Sequence, residues 1–114
     1  MDALFIELSS FQKYRADYLS DDQFRRFQNM LLADPEKGDL IPDTGGLRKV
    51  RFRDERRHKG ARGGIRVIYY WMNAQCQFIL FTIYDKDLRD DLTKQQRDAL
   101  ATALNVIKKG LRHD

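Results

Sequence analysis

The apolar residues at the start of the chain follow two different spacings. Residues 3–8, ALFIEL, are almost all apolar and predict a short strand. Phe11, Tyr14 and Tyr18 then recur at helical spacing, which predicts a first helix. The chain is therefore expected to begin with a strand that is followed at once by a helix.

Start and stop signals frame a second helix. Ser20 and Gln23 form a capping box, in which the Gln23 amide donates to the serine hydroxyl and the glutamine side chain reaches back to the backbone. Asp34 and Pro35 end the helix, because the residue before a proline avoids the helical region. Four apolar residues between these signals share one face: Phe24, Phe27, Met30 and Leu31.

The apolar period then shortens to two. A stretch rich in turn-forming residues runs from Gly38 to Gly46. After it, three segments of β-branched and aromatic residues predict strands over residues 47–53, 64–72 and 77–84. Residues 73–76 have the length of a hairpin connection, so the second and third of these strands are expected to be antiparallel.

A second capping box, Thr93 to Gln96, opens a C-terminal helix. Its apolar stripe consists of Leu100, Leu104, Ile107 and Leu111, and Gly110 is placed to cap its end. The whole pattern predicts one α+β domain over residues 1–114. That domain has a short N-terminal strand, two helices and a three-stranded antiparallel sheet with a C-terminal helix.

The composition is that of a globular domain. The chain has 114 residues, of which 42% are hydrophobic and 33% are charged. Cys76 is the sole cysteine, so no internal disulfide is possible. No apolar run approaches the ~20 residues that span a bilayer. We therefore expect a cytoplasmic protein without a membrane partner.

The positive charge is concentrated in one segment. The net charge is +4, but residues 48–66 contain nine basic and two acidic residues, a local charge of +7. The rest of the chain carries −3. Such asymmetry favours a polyanionic partner, with RNA as the leading candidate. A solvated basic loop without any partner is the alternative.

The first long strand, residues 47–53, divides its side chains by chemistry. Val50 and Phe52 share one face, which is expected to face the core. Lys49, Arg51 and Arg53 line the other face, where like charges two residues apart repel each other unless a phosphate backbone binds across them. An exposed face that is basic by chance is the alternative.

Further cations adjoin this strand. Arg48 precedes Lys49, and the glycine-rich segment 54–64 is predicted to be an arm that becomes ordered on a nucleic acid. Its basic residues are Arg56, Arg57, Lys59 and Arg62. We predict that these residues, with Arg48 and Arg53, bind RNA.

Two more cations are candidates for chemistry. Arg66 lies inside an otherwise apolar strand, where a charge must reach solvent or serve a function. Lys86 follows the third strand. If the strands pair in order, Lys49, Arg51, Arg66 and Lys86 converge on one face. Such a cluster suits phosphodiester cleavage by a 2′-hydroxyl, because guanidinium groups stabilise the charge that develops on the phosphate oxygens.

The sequence contains no convincing metal site. His58 lies in the basic segment and is interpreted as a solvated residue, with a general acid as the alternative, and His113 lies at the C-terminus. Four aspartates, Asp85, Asp87, Asp90 and Asp91, lack the spacing of a calcium loop and are interpreted as the acidic approach to the last helix. Cys76 has no histidine nearby in sequence. No cofactor is therefore expected.

Three motifs together carry a family resemblance. They are Gly-Gly-Leu-Arg-Lys-Val-Arg at 45–51, Arg-Gly-Gly-Ile-Arg-Val-Ile-Tyr-Tyr at 62–70 and Phe-Thr-Ile-Tyr-Asp-Lys at 81–86. In this order, after a strand and two helices, they resemble the RelE/ParE toxin superfamily, and its HigB branch in particular. The resemblance covers nearly the whole chain and implies the RelE-like microbial RNase fold.

The resemblance implies the toxin of a bacterial type II toxin–antitoxin system. Such RelE-like toxins are metal-independent endoribonucleases, or mRNA interferases, which cleave mRNA in the 30S ribosomal A site and inhibit translation. The implied partner is a cognate antitoxin, HigA-like and with a helix-turn-helix domain. A gyrase-poisoning toxin of the ParE type is one alternative. A non-catalytic RNA- or ribosome-binding module is another.

The resemblance also implies roles for individual residues. Lys49 and Arg51 match the paired cations that orient and activate the 2′-hydroxyl, and Arg66 matches the arginine that stabilises the phosphate. Lys86 occupies the basic position after the last strand. Arg62 and Tyr84 match residues for RNA contact or stacking.

The chain departs from the family pattern at two places. Asp87 stands where some RelE-type members have an arginine, and Leu92 and Thr93 stand where some have a tyrosine. The identity of the general acid therefore stays open.

Overall fold

The structure is a computed structural model that describes residues 2–53, 64–86 and 92–110. Several residues named above lie outside these ranges. They are Arg56, Arg57, His58, Lys59, Arg62, Asp87, Asp90, Asp91, Leu111 and His113.

Five strands and three α-helices make up the described chain. The strands are β1 (Leu4–Glu7), β2 (Asp39–Leu40), β3 (Arg48–Phe52), β4 (Ile65–Met72) and β5 (Gln77–Asp85). The helices are α1 (Ser9–Tyr18), α2 (Asp21–Ala33) and α3 (Lys94–Gly110). This is the α+β class that the periodicity predicts, with every predicted helix and strand present.

All five strands belong to one sheet, with the order β1-β5-β4-β3-β2. The predicted three-stranded antiparallel core is confirmed as β3, β4 and β5. Two strands extend it: β1 pairs in parallel with β5, and β2 pairs antiparallel with β3. The predicted strand count of the sheet was therefore too low, because backbone pairing of β1 and the two-residue β2 depends on neighbours that no local pattern reveals.

Local signals set the helix ends as predicted. The Gln23 amide donates to the Ser20 hydroxyl at 3.1 Å, and the Ser20 amide donates to the Gln23 side chain at 2.9 Å. Thr93 and Gln96 make the same two bonds at 3.1 and 2.9 Å. Both capping boxes satisfy backbone donors that a helix start would otherwise leave unpaired.

The two faces of the sheet pack into separate apolar clusters. On one face, β3 and β4 place residues such as Val50, Phe52 and Val67 against α1 and α2. On the other face, residues such as Ile68 and Phe81 pack with Leu104 of α3. A register shift between Ile68 and Tyr69 interrupts the β4–β5 ladder, as a β-bulge does.

Candidate nucleic-acid interface on the sheet

Three side chains that the sequence analysis singled out stand in one row across the sheet. Arg51 on β3 is the register partner of Arg66 on β4, and Arg66 is the register partner of Tyr84 on β5. Register partners share a face, with Cβ atoms about 5 Å apart. Arg51 is exposed and Arg66 is half-buried. The structure therefore brings two predicted catalytic arginines together.

Lys49 lies on the same face, two residues before Arg51 on β3. Its register partner on β4 is Ile68, which is fully buried in the cluster under α3. Lys49 is itself half-buried. On β2 the register partner of Lys49 is Asp39. Like charges directly opposite each other on a sheet are destabilising, and this applies to Arg51 and Arg66. Lys49, Arg51 and Arg66 thus bring three positive charges to one part of this face.

Lys86 continues the ladder beyond β5. Its amide donates to the Gly64 carbonyl at 2.7 Å, which extends the pairing of β4 and β5 by one residue. Lys86 stands two residues after Tyr84 and is exposed. Strand alternation places positions 84 and 86 on one face, so Lys86 flanks the end of the Arg51–Arg66 row.

Tyr84 differs from the arginines in its row. Its side chain is only 1% exposed and belongs to the cluster under α3. Stacking on a base needs an accessible ring face. The predicted stacking contact of Tyr84 is therefore not supported by its position.

Arg48 lies on the opposite face from Lys49. It is the register partner of Tyr69, and its guanidinium donates to the Gly38 carbonyl at 2.7 Å and to the Glu36 carboxylate at 3.1 Å. It does not join the other cations, and the RNA contact predicted for it is not supported. The reason is strand alternation, because positions 48 and 49 must point to opposite faces.

The partner of Arg48, Tyr69, is held in a small polar network. The Gly38 amide donates to its hydroxyl at 3.0 Å, and the hydroxyl donates to the Pro35 carbonyl at 2.8 Å. Burial raises the pKa of Tyr69, and the Gly38 bond and the Arg48 charge offset part of this rise. A Cβ at Gly38 would lie 2.9 Å from the Tyr69 ring, so this close approach requires glycine.

Arg53 comes directly after the end of β3 and is exposed. It is thus at the edge of the basic surface and not within the ladder. Four predicted RNA-binding residues, Arg56, Arg57, Lys59 and Arg62, lie outside the described residues, and their contribution stays a prediction.

The sequence analysis missed one cation near this surface. Arg97 of α3 lines a cavity of about 270 Å³ together with Lys49 of β3. A signal was available, because Arg97 precedes Leu100 and Leu104 at helical spacing and thus interrupts the apolar stripe of α3. It is a charge on a core-facing stripe, as Arg66 is in β4.

A second cavity, of about 420 Å³, lies between α1, β5 and α3. Tyr14, Tyr84 and Leu100 are among the residues that line it, and none of the lining residues within 2–53, 64–86 and 92–110 is a cation. This second cavity is therefore a poor candidate for binding an anion, although its volume exceeds that of the cavity beside Lys49.

Other kinds of site are not found in the described ranges. Residues 2–53, 64–86 and 92–110 contain no group of three His, Cys, Asp or Glu side chains arranged to hold a metal ion. Among the same residues, no helix has the length and apolar character needed to cross a membrane. The chemistry that the described surface can offer is charge stabilisation and hydrogen-bond donation by lysine and arginine.

Comparison with known proteins adds a fold relationship. No protein-family model matches the chain. An arginine-to-alanine double mutant of the Escherichia coli toxin RelE in the free state is similar, with a TM-score of 0.54 and 10% identity. The match covers 90% of this chain and 97% of the RelE chain.

Two further solved structures are similar at the same level. The isolated E. coli RelE toxin has a TM-score of 0.52 at 11% identity, covering 90% of this chain and 99% of that chain. The intact E. coli RelBE toxin–antitoxin complex has a TM-score of 0.52 at 12% identity, covering 74% and 96%. The predicted RelE-like fold is confirmed, while membership of the RelE/ParE superfamily and of its HigB branch stays a prediction. This chain has the fold of the RelE toxin.

Proposed function

We propose that this protein is the toxin of a type II toxin–antitoxin system and acts as a ribosome-dependent, metal-independent endoribonuclease on mRNA in the ribosomal A site. The observation that carries the proposal is the register pair Arg51 and Arg66, with Lys49 beside it, on one sheet face of a RelE-like fold. Repelling cations held by strand pairing suit a substrate whose negative charge grows during the reaction.

The proposed reaction is transesterification within the RNA strand. The 2′-oxygen attacks the adjacent phosphorus, and its proton passes to a base. The bond from phosphorus to the 5′-oxygen breaks, the electron pair leaves with that oxygen, and a proton is delivered to it. The products are a 2′,3′-cyclic phosphate and a 5′-hydroxyl end.

Each cation has a role in this scheme. Lys49 and Arg51 orient and activate the 2′-hydroxyl, and Arg66 donates to the non-bridging phosphate oxygens, where charge develops. Lys86 adds a positive charge at the end of the row. Side-chain cations supply all of the charge stabilisation, so the scheme requires no metal ion or other cofactor.

Binding to RNA involves a wider surface than the reacting groups. Arg53 lies at the edge of the row, and we assign to it, with Arg56, Arg57, Lys59 and Arg62, the role of phosphate contacts. Such contacts supply affinity that falls as salt rises.

A cognate antitoxin is the proposed protein partner. The similar RelE structures include complexes with the antitoxin RelB and with a RelB peptide. The family resemblance implies an antitoxin of the HigA-like helix-turn-helix type, and the proposed ribosomal target implies a cytoplasmic location.

The experiment that tests the proposal is primer extension on a translated message during controlled expression of the full chain. Cuts within translated codons, and not in untranslated regions, are expected. The same cuts are expected from the purified protein on programmed ribosomes when the protein has first been stripped with a chelator.

Other results would exclude the proposal. DNA breaks without mRNA cuts would indicate a gyrase poison of the ParE type. Retention of RNA on the protein without any cut would indicate a non-catalytic RNA-binding module.

A further inference from the structure

The cavity between the sheet and α3 is lined by charged residues that include Arg97, and Arg97 has no role in the proposed reaction. It measures about 270 Å³ and is lined by Asp39, Leu40, Ile41, Pro42, Lys49, Leu92 and Arg97. Small-molecule sites usually measure about 300–1,000 Å³. The cavity is thus sized for a small group, and the described residues that line it include two cations and one carboxylate.

Arg97 reaches this cavity from the core-facing side of α3. Its residue is half-buried, and its Nε is buried without a hydrogen-bond acceptor in the described part of the chain. A buried donor without an acceptor costs about 1–3 kcal/mol. An anion bound in the cavity is the ligand that would satisfy a guanidinium group there.

The walls of the cavity are held in place. The loop that supplies Ile41 and Pro42 is closed by the Thr44 hydroxyl, which donates to the Ile41 carbonyl at 2.7 Å and accepts from the Leu47 amide at 3.2 Å. Lys108 of α3 donates to the Gly45 carbonyl of the same loop. The loop and α3 are therefore tied together around the cavity, which reduces the cost of ordering them on binding.

The cavity lies next to the Arg51–Arg66 pair. Lys49 lines the cavity, and Arg51 stands two residues further along β3, about 7 Å away at the usual rise of a strand. Every nucleotide of an RNA strand carries a phosphate. An RNA with one phosphate at the Arg51–Arg66 pair therefore presents a second anion beside it, whereas an acidic protein segment has no such required spacing.

We propose that the Lys49–Arg97 cavity binds an RNA phosphate that neighbours the phosphate to be cleaved. The proposal rests on the proposed function and deepens it, because it assigns to α3 a part in holding the substrate. Arg97 is a positioning residue in this view. It fixes the strand relative to Arg51 and Arg66 and does not act on the reacting atoms.

Asp39 provides a test of opposite sign. It is the register partner of Lys49 and, among the described residues, contributes the one negative charge of the cavity lining. If the cavity binds a phosphate, removal of this charge strengthens binding, whereas removal of the Arg97 charge weakens it.

The experiment measures binding of a short single-stranded RNA and cleavage of the same sequence on programmed ribosomes. Arg97→Gln is expected to weaken RNA binding about tenfold and to reduce the slope of log K against log salt by about 0.7. Arg97→Lys is expected to restore part of the affinity, and Asp39→Asn to tighten binding. Arg25→Gln is the matched control, because Arg25 is an exposed arginine on α2.

A second measurement distinguishes a direct contact between Arg97 and one phosphate from a general effect of the Arg97 charge. Replacing single phosphates of the RNA by neutral methylphosphonates should reveal one position at which Arg97→Gln has no further effect. That position should neighbour the scissile phosphate. Thermal unfolding of each variant shows whether the fold is retained, and Arg97→Lys keeps the test decisive if Arg97→Gln does not fold.

The outcomes distinguish this inference from the proposed function. If the wild-type protein cleaves RNA and Arg97→Gln behaves as Arg25→Gln, the phosphate site is wrong while the endonuclease stands. If the wild-type protein binds RNA in this salt-dependent way without cutting it, the site stands and catalysis is wrong. If Arg97→Gln weakens only the binding of an acidic antitoxin segment, the cavity is a protein contact and the inference is overturned.

Discussion

The two faces of the sheet contrast in what covers them. The face toward α1 and α2 is filled with aromatic and aliphatic side chains, such as Phe11, Phe27 and Phe78, all fully buried. The face toward α3 buries apolar residues such as Ile68 and Phe81 and also carries Lys49, Arg51 and Arg66. One face therefore stabilises the fold, and the other combines a smaller core with a charged surface.

Two arginines on β3 illustrate the contrast best. The Arg48 guanidinium donates hydrogen bonds to Glu36 and Gly38 on the face toward α1 and α2. Arg51, three residues later, is exposed on the other face beside Arg66. The same residue type is structural on one face and available to a ligand on the other. Basic residues in a sequence segment thus cannot be counted as one site.

The largest expected effect is loss of stability from the face under α1 and α2. Phe27 is fully buried, and its ring meets that of Phe52 edge-on at 5.7 Å between centroids. Phe27→Ala should lower the free energy of unfolding by about 3–5 kcal/mol, because it leaves a cavity in the core. Urea denaturation measures this loss. Val106→Ala on exposed α3 surface is the control, with a change within about 0.5 kcal/mol.

Replacing a cation on the face toward α3 should reduce activity without reducing stability. Arg66→Ala is expected to slow mRNA cleavage on programmed ribosomes by about 10²- to 10³-fold, because it removes a donor to the developing phosphate charge. Growth arrest on expression should disappear while the unfolding midpoint stays close to that of the wild-type protein. A variant that arrests growth as strongly as the wild-type protein would contradict the proposed site.

Tyr69 should make stability fall at alkaline pH. Burial raises its pKa in the folded state, so its contribution to stability is complete below the unfolded value of 10.0 and is lost as pH rises through the folded value. Tyr69→Phe should cost about 1–2 kcal/mol at neutral pH, because the Gly38 amide and the Pro35 carbonyl lose a partner. In this variant the free energy of unfolding should also fall less between neutral and alkaline pH.

The control for Tyr69 is its neighbour Tyr70, which is half-buried. Tyr70→Phe keeps the ring over which the Lys108 ammonium lies at 5.1 Å from the centroid. Its unfolding free energy should follow the pH dependence of the wild-type protein. An equal flattening in both variants would show that Tyr69 is not the titrating group.

The smallest changes in stability are expected from Arg48 and Arg51 on β3. Arg48→Ala should destabilise the fold by about 1 kcal/mol and leave RNA affinity unchanged, because its bonds are to Glu36 and Gly38. Arg51→Ala should leave stability unchanged or slightly raised, since it removes a like charge opposite Arg66, while it weakens RNA binding. Equal losses of affinity in the two variants would contradict the division between faces.

The elements of this fold were predictable because their signals are local. Capping boxes at Ser20 and Thr93 use groups within one helical turn, and the proline after Asp34 acts on its own neighbour. Alternation along β3 sorted Val50 and Phe52 from Lys49 and Arg51 without knowledge of the partner strand, and the sheet confirms that division.

Which of the candidate site residues lie close together in the fold was predictable only in part. Pairing of β3 with β4 placed Arg51 opposite Arg66, as the expected strand order implied. The burial of Tyr84 and the bonds of Arg48 were not visible, because each depends on what packs against the face concerned.

The amino-acid sequence by itself determined the order of helices and strands, the inward and outward positions along β3 and the concentration of cations near them. Only the tertiary structure decided that β1 and β2 extend the sheet, that Arg48 is structural and that Arg97 meets Lys49 at a cavity. The physical reason is distance along the chain. Capping and alternation act between neighbours, whereas Lys49 and Arg97 are brought together by the packing of α3 on the sheet.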